Sequence, residues 1–169
     1  MFDEVKSGLR KFLSTLFFFG HIPGYPQIYG SLLMIALLWF TKEPLALYLQ
    51  PASMKSVLFF LTLAIVGASW LCNDTEQNFG RYNAKPVIID AFIGQFIVFL
   101  FVPISLASLL VGFTLYQFFS VIKPWPIYPF TEVDEGVGIV MDDVMAGIAA
   151  AVSLEGLFYF YGIISAYLV

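Results

Sequence analysis

Charge is what this sequence has least of. Only 12% of its 169 residues are Asp, Glu, Lys or Arg, about half the fraction with which a soluble domain coats itself. With 60% hydrophobic residues and a mean hydropathy of +0.86, the chain lacks the polar surface to close a water-soluble globule, and composition places it among integral membrane proteins. It has one cysteine, Cys72, which excludes an internal disulfide and a cysteine metal cluster and reads as a small apolar residue of a membrane helix. It has one histidine, His21, which excludes a histidine metal cluster and leaves no Ser/His/Asp arrangement to build. A net charge of −4 with no basic run excludes nucleic acid as a partner. After Lys6, Arg10 and Lys11 the Phe-rich stretch runs into His21-Ile22-Pro23-Gly24, not into a small-residue cleavage site. Residues 8–20 are therefore expected to remain as an interfacial amphipathic helix.

Apolar runs fill most of the rest. A spanning helix needs about 20 largely apolar residues. Residues 29–49 supply one segment, weakened at Thr41-Lys42-Glu43-Pro44, and residues 56–72 a second. Residues 87–121 are too long for one span and are interrupted at Pro103, where a helical hydrogen bond is lost; the expectation is a helical hairpin, 87–102 followed by 104–121. Residues 144–168 form the last segment. The expected fold is all-α: a polytopic integral membrane helical bundle with about four to five membrane segments plus an N-terminal interfacial helix. It forms one domain over 1–169, with no internal repeat and no low-complexity tract.

Positive charge orients the chain. With the N-terminus in the cytoplasm, the inside segments hold Lys6, Arg10, Lys11, Arg81, Lys85 and Lys123, and the outside only Lys42 and Lys55. The loops at 20–31, 73–90 and 122–143 then share the cytoplasmic face, so one site can draw on all three.

The polar residues in those loops are the functional candidates. Asp142 and Asp143 sit where the last apolar segment opens, and two readings stand: they cap the helix, taking its free N–H groups, or they hold Mg²⁺, which prefers one or two carboxylates completed by water and phosphate oxygens. Asp90, four residues into an apolar run, is either an interfacial partner for Lys85 or Arg81 or a functional carboxylate. Lys123, in Lys-Pro-Trp-Pro, is either an interface anchor beside Trp125 or a phosphate-binding cation. The Gly20–Gly24 loop matches no P-loop, and Ser31 is expected to cap the first helix. Glu155, twelve residues beyond Asp143, falls about 18 Å deeper on a regular helix. There it must be protonated, face another helix or meet a partner.

Several of these words occur together in one known family. Pro26 with Gly30-Ser31, Gly80, Asp90 with Phe92-Ile93-Gly94, Lys123-Pro124-Trp125-Pro126, and Gly136-Val137-Gly138-Ile139-Val140-Met141-Asp142-Asp143 with Ala146-Gly147 resemble the phosphatidylglycerophosphatase A family from about Phe18 to Tyr161. The resemblance implies a bacterial inner-membrane, multi-pass enzyme that uses Mg²⁺ to remove the terminal phosphate of phosphatidylglycerophosphate. Asp90, Asp142 and Asp143 would be its metal-binding or acid/base carboxylates, and Lys123 its phosphate-neutralising cation. The sequence departs from the family's usual pattern. Ala91 stands where a Glu is usual, Gln117 and Ser120 where an Arg and an Asp precede Lys-Pro-Trp-Pro, and Asn78 where an Asp precedes Gly80. The first loop reads Pro26-Gln27-Ile28-Tyr29-Gly30-Ser31 in place of Pro-Gly-Thr-x-Gly-Ser.

Phosphoryl transfer depends on charge stabilisation, and losing one such group costs on the order of 10²–10³ in rate. The first expectation is thus a family member with lost or weakened catalysis. It would be an accessory or structural subunit beside other integral membrane subunits, keeping an anionic-lipid site for phosphatidylglycerol or a relative, with Glu155 as a partner-interface candidate. The alternative is an active Mg²⁺-dependent phosphatase on Asp90, Asp142, Asp143 and Lys123, with Ser31, Asn78, Gln117 and Ser120 hydrogen-bonding the phosphate.

Overall fold

The computed structural model describes residues 2–50, 53–73, 86–133 and 135–167. Within them the protein is all helix, with no strand. Six α-helices follow in order: α1 Phe2–Ser14, α2 Pro26–Tyr48, α3 Met54–Cys72, α4 Ile89–Ile97, α5 Leu106–Ile122 and α6 Glu135–Tyr167. Short 3₁₀ turns at Phe19–His21 and Tyr128–Glu132 join them. Helix α4 is the core of the bundle, packed between α2, α3 and α6, while α5 lies along α6. Among the described residues, α3 and the Gly136–Tyr161 stretch of α6 are long and apolar enough to cross a membrane. Their outward faces are apolar too: Phe60 is 66% exposed and Val152 67%. A water-soluble surface rarely leaves such side chains contiguous.

The N-terminal helix runs over Phe2–Ser14 and not over 8–20: it starts and ends six residues early, because Leu16, Phe17 and Phe18 take positive φ and turn the chain, and its end is pinned to the bundle. The Arg10 guanidinium lies 4.6 Å over the ring of Trp70 in α3, and the Ile88 N–H donates to the Ser14 carbonyl at 3.0 Å. Helix α2 runs straight through Thr41-Lys42-Glu43-Pro44, because Pro44 removes only one hydrogen bond near the helix end.

Two sequence expectations change. The hairpin at Pro103 exists, but its first arm is short. Nine residues of α4 rise only about 13.5 Å, less than half of a hydrocarbon core of about 30 Å. The chain leaves the helix at Val98, five residues ahead of Pro103. The irregular stretch is held because Val98, Phe99, Leu100 and Val102 are buried against the bundle, so that protein covers most of it. A reciprocal pair then restarts the helix: Ser108 N–H donates to Ser105 Oγ at 3.1 Å, and Ser105 N–H to Ser108 Oγ at 2.8 Å. At the other end of the chain, α6 begins at Glu135, nine residues before the expected start at 144. Its first turns are held against α3, where Gly136 sits so close that a Cβ would lie 2.1 Å from the Ser69 carbonyl oxygen.

Two glycines let α4 and α6 meet backbone to backbone. A Cβ on Gly94 would lie 2.6 Å from the Asp143 carbonyl oxygen, and one on Gly147 2.4 Å from the Gly94 carbonyl oxygen. Small residues at a crossing permit this approach, which takes the place of the hydrophobic drive that lipid cannot supply. Gly147→Ala is expected to force the helices apart and cost about 1–3 kcal/mol, read as a lower unfolding temperature in detergent. Gly67→Ala, with nothing within 4 Å of its added Cβ, should leave that temperature unchanged or slightly raised.

Candidate functional site

The end of α5 makes the first half of the site. Lys123 terminates that helix in a left-handed conformation, φ 47° and ψ 57°, with its N–H donating to the Phe119 carbonyl at 2.9 Å. Glycine is the usual residue there, and a lysine costs about 1–2 kcal/mol. The conformation is of the kind that collects at functional sites. Pro124 then blocks further helix, and the buried Ile127 holds the following loop to the bundle. From this corner the Lys123 ammonium reaches across to α6 and pairs with Asp142 Oδ2. Trp125 is 83% exposed, as the interface-anchor reading of this loop expects.

Asp142 and Asp143 do not cap a helix. Because α6 starts at Glu135, they are its eighth and ninth residues, where the backbone N–H groups are already bonded within the helix. Their carboxylates serve side chains. Asp142 holds Lys123, and Asp143 Oδ1 accepts from Ser120 Oγ at 2.8 Å. Asp143 is 1% exposed, and its Oδ2 has no hydrogen-bond partner. Asp90, in the first turn of α4, is 4% exposed, and its Oδ1 accepts from the Ala91 N–H at 2.7 Å. The three carboxylates are close enough for their charges to interact.

A cleft of about 510 Å³ opens onto this cluster. Asp90, Gln117, Lys123 and Asp142 supply its polar wall, and Tyr25 to Ile28 at the start of α2 close the opposite side. Gln117 Nε2 is buried and unpartnered, and so is a donor available to an anion.

Asp90, Asp142, Asp143, Lys123, Gln117 and Ser120 thus come together from three helices, α4, α5 and α6. The other candidates do not join them. Ser31 lies inside α2, not at its N-cap, and its Oγ donates to the Gln27 carbonyl at 3.1 Å. Glu155 is on the outer surface of α6, exposed, so of the three alternatives the sequence left for it, facing another of the chain's helices falls away. Asn78, with Arg81 and Lys85, lies outside the described residues. Two polar groups escaped the sequence reading. Tyr116, fully buried one turn before Ser120, has a hydroxyl that makes no hydrogen bond of ordinary length but lies near enough to Asp143 to interact with its carboxylate. It lies close enough to α4 that a Cβ on Gly94 would be 2.8 Å from it. Gln95 is fully buried with both amide atoms unpartnered. The signal was available for both: a polar side chain inside an apolar run, in Gln95's case beside the Asp90 motif.

Among the described residues no three His, Cys, Asp or Glu side chains converge to hold a metal ion on their own. Mg²⁺ does not require that. It keeps several waters and takes one or two carboxylates together with substrate phosphate. Asp90 on the cleft wall, with the Asp143 carboxylate buried behind the cleft and interacting with it, fits that donor set of one or two carboxylates and does not fit a closed protein cage.

The phosphatidylglycerophosphatase A family model matches residues 12–158. The chain belongs to the phosphatidylglycerophosphatase A family. It is 31% identical over 167 residues to phosphatidylglycerophosphatase A of Escherichia coli K12, covering 95% of this chain and 90% of that protein. It is 35% identical over 107 residues to phosphatidylglycerophosphatase A of Haemophilus influenzae, covering 62% of this chain and 66% of that protein. No solved structure matches the chain. The family assignment accounts for the motifs around Lys123 and Asp142, which the fold brings to one cleft. With two apolar helices of crossing length, it also supports a membrane protein.

Proposed function

We propose that this family member is a working but slowed lipid phosphatase that removes the terminal phosphate of phosphatidylglycerophosphate with the help of Mg²⁺. The observation that carries the proposal is the Asp143 carboxylate, almost fully buried with one oxygen unpartnered, beside Asp90 and behind the Lys123–Asp142 pair. A buried carboxylate with one oxygen left unpartnered and two other carboxylates close by is costly, and a scaffold freed from chemistry gains nothing by keeping the three together. A divalent cation removes that cost.

The chain's residues divide the work. Ser120 holds one oxygen of Asp143 and so aims the other. Asp142 holds the Lys123 ammonium at the cleft wall, where it neutralises phosphate charge. Gln117 donates from Nε2 to a phosphate oxygen. Asp90, lining the cleft, accepts the proton of the attacking water and returns it to the glycerol oxygen as the bond from that oxygen to phosphorus breaks. Asp143 would hold Mg²⁺, completed by water and phosphate oxygens, and the ion would supply Lewis-acid stabilisation of the phosphoryl charge. Ala91, Gln117 and Ser120 are neutral where the family usually carries charge, which is why the reaction is slow. The protein sits in the bacterial inner membrane as a multi-pass chain with its N-terminus and the cleft on the cytoplasmic side; Lys123 near the cleft agrees with the excess of Lys and Arg on inside loops.

Phosphate release from phosphatidylglycerophosphate by the detergent-purified protein tests this. Release is expected with Mg²⁺ and should disappear with chelator. No release above a no-protein blank would leave the second reading, an accessory subunit of a membrane complex. That reading is favoured by Glu155, exposed on the same helix as the exposed apolar Val152 and Tyr159, and would be read as a stoichiometric companion in gentle purification from native membranes.

A further inference from the structure

A second cavity, which no part of the proposed chemistry uses, is lined by the same two helices, α2 and α4, that help to line the phosphate cleft. It is a groove of about 410 Å³ between α2, α3 and α4. Its α2 wall is one helical stripe. Gln27 lines the cleft, and Met34, Leu38, Thr41 and Leu45 line the groove. The intervals of seven, four, three and four residues keep all five on one face. Helix α4 bridges the two cavities in the same way, with Asp90 in the cleft and Ile93, three residues on, in the groove. Leu61 and Ala64 of α3 form the facing wall.

The lining excludes a polar ligand. Thr41 carries its only polar side-chain group, and that hydroxyl donates to the Leu37 carbonyl at 2.7 Å. The length selects among apolar ones. From Met34 to Leu45 the helix rises about 16 Å, and one leaflet of a hydrocarbon core of about 30 Å is about 15 Å deep.

We infer that the groove takes one acyl chain of the glycerolipid whose phosphate occupies the cleft, so that the protein selects a chain-bearing phosphate monoester over a water-soluble one. This rests on the phosphatase reading for the position of the headgroup. Bilayer tails are as apolar as the groove, so burial alone gives no preference. The preference comes from the tether: a headgroup held in the cleft presents its own chain at high effective concentration. Chain contacts can in turn be used to hold the phosphate in place.

The test is photocrosslinking with phosphatidylglycerophosphate carrying a diazirine at the end of one acyl chain, followed by peptide mapping. Label is expected on the groove walls at Leu61, Ala64 or Phe96, lost on adding excess unlabelled phosphatidylglycerophosphate and kept with excess phosphatidylcholine. Ala64 is exposed, so Ala64→Trp fills the groove without opening the core. It should cut labelling about tenfold, a loss of ~1.4 kcal/mol in chain binding, and lower kcat/KM for the long-chain lipid while leaving a dihexanoyl analogue within about twofold. Label displaced equally by phosphatidylcholine, label mapping outside the groove, or an Ala64→Trp effect equal on both substrates would overturn the inference. Label in the groove with the expected competition but no phosphate released would uphold the groove and overturn the phosphatase reading.

Discussion

Asp143→Asn is expected to make the protein more stable and less active at once. Asparagine keeps an oxygen to accept from Ser120, which now donates to Asp143 Oδ1 at 2.8 Å. It replaces the unpartnered, buried Oδ2 with a neutral amide. Relief of a buried, uncompensated charge stabilises by about 1 kcal/mol or more, read as a higher unfolding temperature in metal-free detergent. Phosphate release should fall by about 10²–10³, the loss typical of one aimed electrostatic group. The two effects point in opposite directions only if the carboxylate is retained for function; a purely structural Asp143 would move activity and stability together. Metal gives the third reading. Mg²⁺ should raise the unfolding temperature of the wild type, because anything that binds the folded state stabilises it, and should do so much less in Asp143→Asn. A wild type whose unfolding ignores Mg²⁺ would remove the metal from this site.

How far the sequence carried the structure depends on which residues one asks about. The all-helical fold, the break near Pro103 and the gathering of Asp90, Lys123 and Asp142 at one cleft followed from hydropathy and loop order, because an apolar chain leaves polar groups few places to be; of the expected membrane segments, two are long and apolar enough to cross. The last helix was misread at its start. Local sequence makes an aspartate pair before an apolar run look like a cap. The nine earlier residues are helical because Gly136 lets α6 press on α3 near Ser69, a contact between distant segments that no local pattern contains. The same holds for Ser31, placed by motif at a helix start, which lies inside α2 bonded to Gln27. Asp143 and Glu155 do share one unbroken helix, α6, but the direction of Glu155 depends on which faces of that helix α3, α4 and α5 cover. That coverage leaves it outside.

Lys123 and Asp142 should behave as one unit, and a double-mutant cycle will show it through a reversal of sign. The pair is unevenly buried: the lysine side chain is 28% exposed and the aspartate 11%. Lys123→Met strands the more buried partner, a carboxylate that already feels Asp90 and Asp143. The expected cost is about 2 kcal/mol, below the full 3–5 of a dry pair because the lysine reaches solvent. Asp142→Asn strands the lysine instead, which can turn toward water, and should cost less. Adding Asp142→Asn to Lys123→Met removes the stranded charge, so the double variant should unfold at a higher temperature than Lys123→Met alone. Activity should not recover with it. Each single change removes either the cation that neutralises phosphate or the group that holds that cation at the cleft wall, and each should lower phosphate release about 10²-fold. The double change should lower it by about the same factor and not by the product, because residues that act together lose their effect once. Multiplying losses would mean that Asp142 acts on the substrate independently of Lys123, and its place would then be beside Asp90 and Asp143.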